Sequence, residues 1–140
     1  MIMYLIAQKN VEIINQLIDT YRQSEMFFSP EQNSDFQQKI NITTIKSILE
    51  QVLSNCELQD LKTIYAVASI GIHERGERHY FYNNTVEMIV IDIKENEEEL
   101  LNKHSRYIAL LTYEDLIEYF LSVVTLAPGL IEGMKILKLT

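Results

Sequence analysis

The chain contains no tryptophan, one cysteine, two prolines and four glycines, and its 12 basic residues are outnumbered by 20 acidic ones. Each shortage excludes something. A lone cysteine, Cys56, can form neither an intramolecular disulfide nor a thiolate metal cluster, and it fits a reducing cytoplasm. Four glycines leave no glycine-rich loop to cradle phosphate, and no Gly-x-Ser-x-Gly elbow is present. A formal net charge of −8 removes the concentrated basic face that binding to nucleic acid or an anionic membrane requires. The longest weakly polar run, Tyr119 to Ile131, is shorter than the ~20 residues needed to span a bilayer and is broken by Pro128-Gly129. The opening MIMYLIAQKN has no basic residue ahead of its apolar run and no small-residue cleavage site, so it does not read as a signal peptide.

What is present is ordinary for a globular protein. With 140 residues, 47% hydrophobic and 23% charged, the chain reads as a single domain, residues 1–140, able to close a core without staples or metals. Abundant Ile, Asn, Lys and Glu suggest an AT-rich bacterial or phage genome.

Hydrophobic periodicity is mostly helical. Met1 to Ala7 reads as an extended arm or short strand. From Asn10, a candidate N-cap, the residues Val11, Ile14, Leu17, Ile18 and Tyr21 form one stripe. Ser29 to Gln38, with Pro30 and clustered Asn, Ser and Asp, reads as a solvated loop. Thr43 or Thr44 is expected to cap a helix with the stripe Ile45, Ile48, Leu49, Val52 and Leu53. Ser54 to Glu57 has capping-box spacing and introduces a helix over about 57–72, with Leu58, Leu61, Ile64, Tyr65, Ala68 and Ile72 on one face. Ala66, Val67 and Ile70 broaden that face until the helix is apolar nearly all round, as expected of a central helix. Gly71 permits close approach of another backbone, or ends the helix.

Beyond it, TVEMIVIDIK carries two patterns. As a helix, Val86, Ile89, Val90 and Ile93 make a stripe; as a strand, it pairs with HYFY across Asn83-Asn84. The helix is preferred, because helical neighbours would leave a lone hairpin poorly covered. The acidic run Asp92 to Glu99 reads as a solvated helix face or turn. Thr112 to Asp115 is a cap signal for a helix bearing Leu116, Ile117, Phe120, Val123 and Val124, stopped by Ala127-Pro128-Gly129. The tail LIEGMKILKLT is too apolar to float free; it packs back on the domain or meets a second copy.

Several of these features resemble a bacterial family of small helical proteins, domain of unknown function 3775. They are the first helix with Val11 and Ile14, the Leu58–Gly71 helix followed by Arg75-Gly76, and His104-Ser105-Arg106-Tyr107 leading into Ile117-Glu118-Tyr119-Phe120-Leu121. The family tends to have an aromatic just before the glycine and an arginine just after it; here Ser69 and Ile72 stand near those places. The resemblance implies a helical fold and no activity.

One segment concentrates groups that could do chemistry. His73-Glu74 begins like a zinc-protease helix, but the position four residues on is Glu77 rather than His, and Gly76 interrupts the helix. His73, Glu74, Glu77 and His79 can still be drawn as an irregular metal site; a surface loop of mutually screened charges is the plainer reading. Arg75 and Arg78 beside Tyr80, Phe81 and Tyr82 suit an anion or a nucleotide base, and equally a protein–protein contact. His104 reads as a hydrogen-bonded structural histidine that Glu114 or Glu118 could orient. Cys56 sits at a helix start, where the macrodipole favours thiolate, although a lone cysteine is by default a small buried hydrophobe.

Together these readings give a mainly α protein, five or six helices around a central helix, with an α+β alternative that places a small hairpin at about 79–93. The functional expectation is a soluble, cytoplasmic, non-enzymatic protein-interaction module: an adaptor, an immunity-type protein or a phage-encoded inhibitor. Its contact surface is expected at His73, Glu74, Arg75, Arg78, His79, Tyr80 and Tyr82, with no catalytic residue, metal or cofactor assigned. The expected partner is a protein, including a second copy through the C-terminal tail. One alternative is a small enzyme or ligand-binding protein with a metal or anion site on the His73–Tyr82 loop. The other is an acidic nucleic-acid mimic.

Overall fold

The computed structural model describes residues 2–27, 35–74, 77–82, 85–90, 95–122 and 126–140, with side chains placed except at 24–27, 35–42 and the two strands. Its elements are α1 (Ile2–Lys9), α2 (Val11–Phe27), α3 (Asp35–Leu53), α4 (Leu58–His73), β1 (Glu77–Tyr82), β2 (Thr85–Val90), α5 (Glu97–Ser105), a 3-10 turn (Arg106–Ile108), α6 (Tyr113–Ser122) and α7 (Ala127–Ile136). The fold is mainly α, packed around a central helix.

That helix is α4. Its buried residues run almost without a break from Asp60 to Gly71, and α1, α5, α6 and α7 all pack against it. Leu61, Ile64 and Ala68 make the expected stripe, while Ala66, Val67 and Ile70 close the remaining sides. The helix spans the expected residues, but its N-cap is Glu57 rather than Ser54. The Glu57 N–H donates to Asp60 Oδ2 at 2.9 Å, and the Ser54 hydroxyl instead donates to the Gln51 carbonyl at 2.7 Å. Asn10 Nδ2 donates to Asp60 Oδ1 at 2.9 Å, and Lys9 lies 3.4 Å from the same oxygen. Burial pushes the Asp60 carboxyl up, but the Glu57 N–H, the Asn10 amide and Lys9 outweigh it and hold it below the usual range.

The C-terminal segment packs back on the domain. Ala127-Pro128-Gly129 opens α7 rather than ending a helix, because proline is tolerated in a first turn whose N–H groups have no intrahelical partner. Helices α4 and α7 meet at glycines. A Cβ at Gly71 would overlap the Gly129 carbonyl and lie 2.6 Å from the Gly133 nitrogen, and a Cβ at Gly133 would overlap the Val67 carbonyl. Leu130, Met134 and Leu137 are thereby buried against the domain.

Other departures have local causes. Residues 2–9 are helical, not extended, because Glu98 caps them: its carboxylate accepts the N–H groups of Met3 at 3.0 Å and Tyr4 at 2.8 Å. Asn10 is buried, and its amide bridges α1 to α4 instead of capping α2. Helix α3 begins at Asp35, so Thr43 and Thr44 lie within it and the end of the expected loop is helical; residues 28–34 lie outside the described residues. Residues 85–90 form a strand, not the preferred helix. They pair antiparallel with β1 from Glu77↔Val90 to Tyr82↔Thr85, and the expected Asn83-Asn84 turn lies outside the described residues. Part of the acidic run becomes the first turn of α5, which Asn96 caps by accepting from Glu99 N–H at 2.9 Å. The Thr112–Asp115 cap forms in both directions, at 3.0 and 3.2 Å.

Candidate functional site

The residues singled out in the sequence divide between two places. His73 ends α4 with its ring stacked on that of His104, centroids 6.2 Å apart. Glu74 follows as the C-cap of α4. Arg78, His79, Tyr80 and Tyr82 belong to β1. Their side chains, and all of Arg75, lie outside the described residues.

Glu74 completes a hydrogen-bonded chain that includes a serine no sequence motif pointed to. Ser69 Oγ lies 2.7 Å from His104 Nδ1, and His104 Nε2 lies 3.2 Å from Glu74 Oε1. Lys103 Nζ donates to the same carboxylate oxygen at 3.0 Å. Burial pushes the Glu74 carboxyl up, but hydrogen bonds from Lys103 and His104 outweigh it and hold it below the usual range. Burial lowers the His104 pKa, and the neighbouring Lys103 and His73 add to this against the pull of Glu74. A neutral imidazole beside a carboxylate carries its proton on Nε2, so Nδ1 accepts from the Ser69 hydroxyl. The carboxylates expected to orient His104, Glu114 and Glu118, are not the ones that do so.

Serine, imidazole and carboxylate are the parts of a nucleophilic triad, but their surroundings differ from those of an active site. His104 is 1% exposed and Ser69 5%. Ser69 also sits in mid-helix, where the surrounding N–H groups are already bonded along the ladder and none is left to hold an oxyanion. The arrangement ties α5 to α4 from within. Among the described residues no cluster of three His, Cys, Asp or Glu side chains is placed to hold a metal. Cys56 is buried, and its thiol is pushed up to about 11 by burial and by the Asp60 carboxylate, so the helix start does not activate it.

The outer side of the same α4–α5 junction is open. A groove of about 440 Å³ runs between α1, the first turns of α4, α5 and the 3-10 turn, lined by Ile2, Lys62, Asn102, Ser105, Arg106 and Ala109 among others. The elements that form it carry large apolar side chains in solvent. Ile2 is 74% and Leu5 60% exposed on α1, and Tyr107 is 68% and Leu110 97% exposed at the 3-10 turn and just beyond it. A single exposed leucine is unremarkable; here Ile2 lines the groove, and Leu5, one turn along α1, and Leu110, next to the lining residue Ala109, extend the exposed apolar surface. The His104 chain fixes the wall that carries Arg106 and Tyr107: the His104 and Tyr107 rings meet edge-on at 5.7 Å. Sequence reasoning passed over this groove because Ile2 and Leu5 read there as part of an extended arm or short strand, and Leu110 was not singled out.

No family model matches this chain, and no curated protein or solved structure resembles it. Among the described residues no single helix is long and apolar enough to cross a membrane. The α6–α7 pair satisfies length and composition together but is bent by 112°.

Proposed function

We propose that this chain is a non-enzymatic protein-interaction module whose contact surface is the groove between α1, α4, α5 and the 3-10 turn. One observation carries the reading: large apolar side chains are exposed on the elements that form an open groove, whereas Ser69 and His104 are buried. Leaving four such side chains in water forgoes burial worth about 1.5–3 kcal/mol for each large aliphatic residue, and covering the groove with a partner recovers it. An open depression of this kind suits a polypeptide better than a small ligand, which needs most of its surface enclosed.

The reading is tested by the size of the native assembly in the cells that make the protein. The wild-type chain is expected to elute well above its own 16.4 kDa and to carry a stoichiometric second protein. A double variant, Ile2→Glu with Leu110→Glu, is expected to elute as the free chain with an unchanged far-UV spectrum. Wild type and variant eluting alike would remove the groove from the account.

A further inference from the structure

The charge inside the groove differs in sign from that of the protein. The whole chain is at −8; of the described cations, Arg22 and Lys46 line no part of the groove and pair with no described carboxylate, and Lys9, Lys103, Lys135 and Lys138 each lie within 4.0 Å of one. Two cations of the groove do not: neither Lys62 nor Arg106 is paired with a described carboxylate. They line the groove from α4 and from the 3-10 turn, and Lys62 Nζ lies 3.4 Å from the Ala109 carbonyl oxygen. The one acidic side chain of the groove, Glu98, has its carboxylate turned onto the N–H groups of Met3 and Tyr4. The surface therefore offers two positive charges without a described carboxylate beside the exposed apolar side chain of Ile2, with Leu5 one turn along α1 and Leu110 next to the lining residue Ala109.

On the interaction reading above, we propose that the occupant of this groove is an acidic amphipathic segment of a partner protein. Large apolar residues of such a segment, at helical spacing, would pack on Ile2, Leu5 and Leu110, and its Asp or Glu side chains would reach Lys62 and Arg106. This is the helix-in-groove mode of recognition with carboxylates as the polar component, and Arg106 can hold a carboxylate through two parallel N–H bonds. Contacts at 3–4 Å lie well inside the screening length of ~8 Å at physiological salt, whereas the remaining negative charge of the protein is largely screened at longer range. The local cations therefore select the partner despite the net charge.

The test is selection from a displayed library of random peptides about four helical turns long, using the full chain as bait. Selected sequences are expected to be net acidic, with Leu, Ile or Phe at three- and four-residue steps. Their dissociation constants, measured by fluorescence anisotropy, are expected to rise at least ~10-fold on the Lys62→Glu/Arg106→Glu variant. Their amide shift perturbations are expected to map to Ile2, Leu5 and Leu110. An unchanged thermal midpoint for the variant shows that it is folded. Neutral or basic selected sequences, binding insensitive to the charge reversal, or no selected sequence at all would each overturn the acidic-segment proposal. If the wild-type native assembly is nonetheless lost on Ile2→Glu/Leu110→Glu, the interaction reading survives that failure. A concentration-dependent dimer of the free chain, abolished by Leu110→Glu, would make the occupant a second copy and overturn the proposal in favour of self-association.

Discussion

Ser69 Oγ and His104 Nδ1 lie 2.7 Å apart, both buried, and so fasten α5 to the central helix through a hydrogen bond between residues 35 positions apart in the chain. The bond is one link of a chain that ends at the Glu74 carboxylate and Lys103. Because every buried side-chain polar atom described has a hydrogen-bond partner, its loss would leave a buried donor or acceptor without one.

The first prediction is that acid weakens this fastening in two stages. His104 has a lowered pKa in the fold, mainly through burial, so the unfolded chain takes up its proton first. The stabilisation is complete above the ordinary value of ~6.5 and is lost as pH falls through the folded value. Glu74, also held low, contributes above its ordinary value of ~4.3 and loses that contribution on further acidification. Urea midpoints should therefore fall from pH 7 towards pH 4. His104→Gln should flatten the slope between pH 7 and about 5.5; an identical slope would show that His104 does not carry it.

The second prediction concerns Ser69. Replacing it with Ala improves helix propensity by roughly half a kcal/mol but removes the donor to a buried imidazole, which costs ~1–3 kcal/mol. Net destabilisation of about 1 kcal/mol is expected in chemical denaturation. A serine-directed fluorophosphonate should leave the folded protein unlabelled, as read by intact mass, since Ser69 is 5% exposed.

The third prediction concerns the glycine crossing. Gly133→Ala should destabilise the protein towards the upper end of the ~1–3 kcal/mol that overpacking costs, or beyond it, because the new Cβ meets the Val67 backbone rather than a side chain able to turn away. Lys135→Ala, on the exposed side of α7, should stay within about 0.5 kcal/mol. Thermal midpoints of the two variants compare them directly.

How much of this could be read in the sequence follows from which forces are local. The stripe Ile14, Leu17, Ile18 and Tyr21, the apolar run of α4 and the Thr112–Asp115 cap depend on neighbours within a few residues, and all three were legible. Close approach at Gly71 was also expected, although its partner glycines were not. Helix α1 was not legible, because its first turn is capped by a carboxylate about 95 positions away. Residues 85–90 carry both a helical and a strand period, and pairing with β1 decides between them. The His104 chain was half visible: a structural histidine was expected, but Ser69 was given no role, and only tertiary packing brings it to the imidazole. The groove was missed because periodicity identifies which residues are apolar, not which of them the fold leaves uncovered.

A fourth prediction follows from Cys56. With its thiol pushed up to about 11 and its side chain buried, it should resist iodoacetamide at pH 8 in the native protein and react at once in denaturant. Native-state alkylation at the rate of a free thiol would contradict the burial.

The most direct measurement of the contact surface is photocrosslinking in the cell from a benzoylphenylalanine placed at position 110, exposed and next to the lining residue Ala109, with position 135 on α7 as the control. The account predicts one discrete adduct from position 110, lost when Ile2→Glu is added, and none from position 135. No adduct from position 110, or the same adducts from both positions, would contradict it.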